Sequence, residues 1–100
     1  MELEQLRIFV AAAEEGSFSG AARKLYISHS TVSRAVAALE EELGVRLVRR
    51  GNSVTGLTAA GETLLLEARS LLEQAERAAE RVRAAGEKET GDENAVFQAL

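Results

Sequence analysis

Cysteine and proline are both absent from the chain. Without cysteine no disulfide framework, thiolate zinc site or cysteine nucleophile can be built. No apolar run approaches the roughly 20 residues that a membrane-spanning helix needs. The opening Met-Glu-Leu-Glu-Gln is acidic where a secretion signal would be basic, so no membrane association and a cytoplasmic location are expected. Histidine occurs once, at His29. No acid or second histidine accompanies it, so a hydroxyl-activating triad lacks parts, and scattered carboxylates give no chelating cluster. No catalytic residue, metal or cofactor is therefore expected, and an enzyme is disfavoured.

What is present is an ordinary amount of apolar and charged chain, 46% hydrophobic and 28% charged over 100 residues, enough for one modest core. The formal net charge of -4 argues against a polyanionic partner only if charge is evenly spread, and it is not. Up to Gly61 there are 7 basic and 7 acidic residues, and after it 5 basic and 9 acidic, so the whole deficit lies in the C-terminal part. Gly16 to Leu39 and Leu43 to Gly61 contain Arg23, Lys24, Arg34, Arg46, Arg49 and Arg50 and no acid. Glu40, Glu41 and Glu42 stand between these two basic stretches.

Periodicity divides the chain into helices and a hairpin. Leu3, Leu6, Phe9, Val10 and Ala13 follow one helix face, with Gly16 as the stop. Ser17 is the N-cap of a second helix carrying Phe18, Ala21, Ala22 and Leu25, and the small pair Ala21 and Ala22 permits close helix packing. After a short connection through Tyr26 and Ile27, Ser28 caps a third helix with Val32, Val36, Leu39 and Leu43 on its inner face and Gly44 at its end. Phe9, Phe18 and Tyr26 are core or core-edge candidates. Two short helices joined so tightly predict a helix-turn-helix. The runs Arg46–Arg49 and Ser53–Thr55, joined at Arg50-Gly51-Asn52, predict a hairpin wing.

Thr58 is the N-cap candidate of a fourth helix, in which Leu65, Ala68, Leu72, Ala75, Ala79 and Val82 form a heptad seam. Leu64, Leu71, Ala78 and Ala85 form a second stripe beside it. The run from Ala59 to Ala85 is about 40 Å long at ~1.5 Å per residue, too long to bury both stripes on its own small core. The expected partner is another copy, with Leu64, Leu65, Ala68, Leu71, Leu72, Ala75, Ala79 and Val82 in the dimer contact. Gly86 is expected to end the helix, and the polar, acidic stretch that follows reads as a linker or tail. The expected division is a winged helix-turn-helix over 1–58, a linker helix over 59–86 and an acidic tail over 87–100.

The second helix of a helix-turn-helix enters the major groove of double-stranded DNA. Burial of Val32, Val36 and Leu39 turns His29, Ser30, Ser33, Arg34 and Ala37 outward. Arg34 can fork onto guanine, Ser30 and Ser33 can bond a base or phosphate, and the helix starts at Ser17 and Ser28 offer amides to phosphates. Each has a plainer alternative: Arg34 pairing with a glutamate of its own helix, His29 merely solvated, Arg49 and Arg50 as strand-edge charges, Arg23 and Lys24 as solvated helix positions.

The string Phe9-Val10, Glu15-Gly16-Ser17-Phe18, Ala21-Ala22, Leu25, Ile27-Ser28, Val32-Ser33-Arg34, Leu39-Glu40, Leu43-Gly44-Val45-Arg46-Leu47, Arg49 and Leu57-Thr58 with Gly61 strongly resembles the N-terminal DNA-binding domain of LysR-type transcriptional regulators. The resemblance covers about residues 1–85. It implies a mainly α, winged helix-turn-helix fold with a linker helix that dimerises antiparallel with its twin, binding inverted-repeat promoter sites. The recognition helix over 29–43 would lie in the major groove and the wing over 46–57 on the adjacent backbone and minor groove. The candidate DNA-binding residues are Ser17, Ser28, His29, Ser30, Thr31, Ser33, Arg34, Arg49, Arg50 and Asn52. His29 stands where the family most often has glutamine, and Val48 where phenylalanine is usual. Family members continue into an effector-binding domain, so no small-molecule effector site is expected in this chain, which is either a fragment or a stand-alone module. Two further alternatives are the related DNA-binding half of molybdate-responsive regulators and a helical module that pairs with a full-length regulator.

Overall fold

Helices α1 (Leu3–Glu15), α2 (Phe18–Leu25) and α3 (His29–Leu43) lead into strands β1 (Val48–Arg50) and β2 (Val54–Leu57) and then a long helix α4 (Ala59–Lys88). The structure is a computed structural model and describes residues 1–50 and 54–88. The punctuation follows local chemistry. The Ser17 hydroxyl accepts the Gly20 amide at 2.9 Å and that of Ser28 accepts the Thr31 amide at 3.1 Å, each cap worth about 1 kcal/mol. Gly16 (φ 71°) and Gly44 (φ 69°) close α1 and α3 in the left-handed conformation that glycine adopts without a Cβ clash.

The core lies on two sides of α1. One cluster joins Leu6 and Phe9 to Val36, Leu39, Leu47, Val48, Leu64 and Ala68; the other joins Ile8, Ala11 and Ala12 to Ala21, Ala22, Val32 and Ala35. The expected single face of α1 is thus only half of what is buried. Because α1 is packed on by α2, α3 and α4 together, Ile8, Ala11 and Ala12 are covered as well. At the margins the expectation is corrected the other way. Leu3 and Leu43 are 42% and 41% exposed, and Tyr26, expected at the core edge, is 95% exposed.

Tyr26 occupies the tight turn itself. It caps α2 with φ 58°, and its amide donates to the Ala22 and Arg23 carbonyls. That left-handed geometry swings the chain into α3 within a few residues and points the ring away from the core.

β1 and β2 pair antiparallel, with Val48 opposite Leu57 and Arg49 opposite Gly56. The hairpin is therefore present with shifted bounds. Arg46 and Leu47 precede the ladder because the Leu47 backbone is bonded elsewhere, its amide to Glu40 at 2.8 Å and its carbonyl to the Thr58 amide at 3.0 Å. Gly51, Asn52 and Ser53 lie outside the described residues, as does the tail from 89 to 100.

Helix α4 starts where expected: the Thr58 hydroxyl accepts the Gly61 amide at 3.0 Å. It runs through Gly86 to Lys88, since one glycine costs only about 1 kcal/mol in a helix. No helix among the described residues is long and apolar enough to cross a membrane. The main correction concerns its apolar stripes. Leu64 and Ala68, expected at a dimer seam, are buried in the chain's own core, with Leu65, Leu71 and Leu72 half-buried against it. The first turns of α4 lie across α1, so they find an apolar surface within the chain. Farther along nothing similar among the described residues covers the helix: Ala78 is exposed and Val82 is 72% exposed.

Candidate nucleic-acid interface

The turn between α2 and α3 is held from both sides. Ala21 and Ala22, buried with Val32 and Ala35, set the helices close together, and the Ile27 amide donates to the Ala22 carbonyl at 3.0 Å. This rigid corner presents the first turns of α3 outward: His29, Ser30 and Arg34 are exposed and Ser33 is half-buried, while Val32, Val36 and Leu39 are fully covered. The expected division of α3 into an inner and an outer face is what the structure has.

Each outward residue has a defined setting. The Ser28 hydroxyl lies 2.7 Å from that of Thr31 and 3.1 Å from that of Ser30, so three hydroxyls cluster at the start of α3. The His29 ring is 5.9 Å from that of Phe18 at 60°, which ties the first turn of α3 to the first turn of α2 and makes His29 more than a freely solvated side chain. Arg34 forms no ion pair among the described residues, so the plainer alternative, pairing with a glutamate of its own helix, is not what the structure contains. Ser17, by contrast, sits at the start of α2, and its hydroxyl is committed to the Gly20 amide.

The basic character of this end is partly neutralised within the fold. Lys24 lies 3.6 Å from Glu14 and 3.9 Å from Glu15, and Arg46 lies 3.5 Å from Glu40. Arg23 and Arg34 are the exposed cations of α2 and α3 without an acidic partner among the described residues. Glu14 also accepts a hydrogen bond from Arg69 of α4 at 3.0 Å. That bond, with the nearby positive charge of Lys24 and Arg69, holds the Glu14 carboxyl below its ordinary 4.5 against a smaller opposing effect of burial. In the wing, the Arg49 Nε donates to the Leu57 carbonyl at 3.3 Å, laying the side chain along the strand pair. Asn52 and the side chain of Arg50 are outside what is described. Among the described residues no group of three or more histidines and carboxylates could hold a metal ion.

Three residues that position the wing were not singled out as such from sequence. Glu40 is 8% exposed, and its Oε2 accepts the amides of Leu47 at 2.8 Å and Val48 at 3.4 Å. The Thr58 hydroxyl donates to the Arg46 carbonyl at 2.6 Å. Gly61 lies so close to β1 that a Cβ there would collide with the Leu47 carbonyl oxygen. Between them they fasten the entry to the wing to the end of α3 and the start of α4. In sequence Glu40 is the first of three consecutive glutamates, and only its place four residues after Val36, beside the inner face of α3, hints at burial.

The arrangement has known counterparts. A family model for bacterial regulatory helix-turn-helix proteins of the lysR family matches residues 3–62. The HTH-type transcriptional regulator ClcR of Pseudomonas putida is 48% identical over 92 residues, covering 92% of this chain and 31% of ClcR. TfdT of Cupriavidus pinatubonensis (strain JMP 134 / LMG 1197), another HTH-type transcriptional regulator, is 40% identical over 97 residues, covering 97% of this chain and 42% of TfdT. A crystal structure of a CbnR DBD–DNA complex superposes with a TM-score of 0.83 at 44% identity, covering 86% of this chain and 99% of that one. A complex of the BenM DBD with benA site 1 DNA gives 0.80 at 39% identity, covering 85% and 99%. The chain spans about a third of the length of the first curated relatives it matches. With a winged helix-turn-helix at the matched residues, the chain belongs to the LysR family of bacterial helix-turn-helix regulatory proteins.

Proposed function

We propose that this chain is the DNA-reading and pairing part of a transcription regulator, binding double-stranded DNA sequence-specifically as a homodimer on inverted-repeat sites. The observation that carries the reading is the outer face of α3, where Arg34 stands exposed without an acidic partner among the described residues, beside His29, Ser30 and Ser33 on a doubly capped corner. An arginine guanidinium presented from that position suits the O6 and N7 acceptors of guanine. The hydroxyl cluster of Ser28, Ser30 and Thr31 at the helix start suits phosphate oxygens. Arg49 and Arg50, together with Asn52, which lies outside the described residues, serve the wing's contact with the neighbouring backbone. The likeness to DNA-bound CbnR and BenM domains supports this placement.

Pairing rests on α4, whose apolar seam continues past the core through Ala75, Ala79 and Val82. Two copies present two α3 helices at fixed spacing, the geometry that reads a repeated half-site. The reading is one of binding rather than catalysis, and it places the protein in the cytoplasm, where bacterial DNA lies.

The test begins with selection from a randomised duplex pool, which should enrich an inverted repeat. Fluorescence anisotropy on the enriched duplex should then show affinity falling steeply with salt, by a log–log slope of about -0.9 per phosphate neutralised. Arg34→Ala should weaken that duplex by about 1 to 3 kcal/mol while leaving binding to random duplex nearly unchanged. Equal affinity of parent and Arg34→Ala for the selected duplex would remove Arg34 from the reading.

A further inference from the structure

His29 is the chain's single histidine, and it stands exposed at the first position of α3. Its ring meets that of Phe18, 5.9 Å away at 60°. Phe18 is half-buried and packed against both core clusters, so the imidazole rests on a backing that belongs to the fold. Among the described residues neither ring nitrogen takes part in a hydrogen bond or ion pair. The charged side chains of the surrounding elements are engaged elsewhere or are cationic. On α2, Lys24 is held by Glu14 and Glu15 of α1 at 3.6 and 3.9 Å, and Arg23 is exposed. On α3, Arg34 is exposed, and Glu40, Glu41 and Glu42 fall at the opposite end of a 15-residue helix. No carboxylate among the described residues forms an ion pair with the imidazole.

We propose that His29 is a specificity-determining residue whose reading of a purine depends on its protonation: the neutral imidazole tolerates adenine and guanine, and the imidazolium selects guanine. The inference rests on the DNA-binding reading of α3 above and makes that reading sensitive to pH. A neutral imidazole has one donor and one acceptor nitrogen, and the imidazolium has two donors and no acceptor. In the major groove adenine shows the N7 acceptor beside the N6 donor, whereas guanine shows two acceptors, N7 and O6. The neutral ring can donate to N7 of either purine. The charged ring finds acceptors at both polar atoms of guanine, but beside adenine N7 it meets the N6 amino group, donor against donor.

The duplex itself drives the change. It carries about one negative charge per 1.7 Å of its axis, and the hydroxyls of Ser28, Ser30 and Thr31, within one turn of His29, are clustered where a phosphate would lie. A ring without an anionic partner in the free fold gains one in the complex, so the complex holds the imidazolium proton more firmly. The sign follows by linkage: a proton bound more firmly in the complex makes DNA affinity rise as pH falls. Imidazole is the side chain that ordinarily changes charge between about pH 5 and 8. The chain's α-amino group, which belongs to a neighbouring range, is held by Glu42 at 2.7 Å, at the far end of α3 from His29.

Because no other histidine is present, the effect reads cleanly on the full chain. Fluorescence anisotropy at constant salt, on a duplex enriched from a randomised pool, compares about pH 8 with about pH 6. The parent should bind about fivefold more tightly at the lower pH. His29→Gln keeps a donor and an acceptor but cannot titrate, and should bind equally at both. Selection from the pool at each pH should move one purine position of the enriched site from mixed adenine and guanine to guanine for the parent, and leave it unmoved for His29→Gln. A parent whose affinity is flat with pH, or a pH dependence that survives in His29→Gln, overturns the proposal. A pH dependence lost in His29→Gln while the parent selects the same bases at both pH values places the ring on a phosphate and overturns the base reading. A parent that enriches no duplex at either pH overturns the DNA-binding reading itself.

Discussion

Replacing Glu40 by alanine strands two amide donors at the base of the wing, those of Leu47 and Val48, in a place only 8% exposed at Glu40 itself. A buried donor left without an acceptor costs about 1 to 3 kcal/mol. The Leu47 bond is short at 2.8 Å and takes the larger share, about 2 kcal/mol, while the Val48 bond at 3.4 Å adds less than about 1. The ion pair with Arg46, whose side chain is 66% exposed, adds at most about 0.5 kcal/mol. The expected loss is about 3 kcal/mol, a fall in Tm of roughly 10 to 20 °C for a domain of this size. Glu41→Ala, one residue on and exposed, should stay within about 0.5 kcal/mol of the parent. Urea titration followed by far-ultraviolet circular dichroism measures both. Glu40→Ala matching Glu41→Ala would refute the claim that this carboxylate fastens the wing.

Gly61→Ala should destabilise by at least about 2 kcal/mol, since the added methyl group meets backbone that cannot move aside without displacing β1; a denaturation midpoint equal to the parent's would contradict the close approach. Tyr26→Gly should raise stability by up to about 1 kcal/mol, because φ 58° is strained for tyrosine and a side chain 95% exposed gives up little packing; a lower melting temperature would show that the ring contributes contacts after all. For Glu14 the folded carboxyl titrates below its ordinary 4.5, so its contribution is present above that value and is lost as pH falls through the lower folded one. In Arg69→Ala the Glu14 titration, followed by NMR, should move up towards the ordinary value, and an unmoved titration would rule out Arg69 as the main cause.

The local signals were readable wherever one residue type decides a conformation by itself. Ser17 and Ser28 cap because their hydroxyls reach amides three residues on, and Gly16 and Gly44 close helices because they lack a Cβ. The inner face of α3 followed from spacing for the same reason, since helix periodicity acts within a few turns. The outward set His29, Ser30, Ser33 and Arg34 is its complement. These determine a helix-turn-helix and its outer face without reference to packing.

Tertiary packing decided what depends on surfaces brought together from afar. Leu64 and Ala68 look like any other residues of an apolar stripe, and only the crossing of α4 over α1 turns them inward to the chain's own core. Glu40 differs from Glu41 and Glu42 by one step of helix rotation, which points it at amides that arrive only when the wing folds back. The net charge of the helix-turn-helix and wing behaves likewise: Lys24 and Arg46 count as free cations in sequence, yet Glu14, Glu15 and Glu40 offset them in space, and Arg34 stands out because nothing among the described residues does so for it. Hydrogen-bond caps and periodicity are short-range and so are written in neighbouring residues; burial and charge pairing depend on distance in three dimensions, and the fold alone sets that.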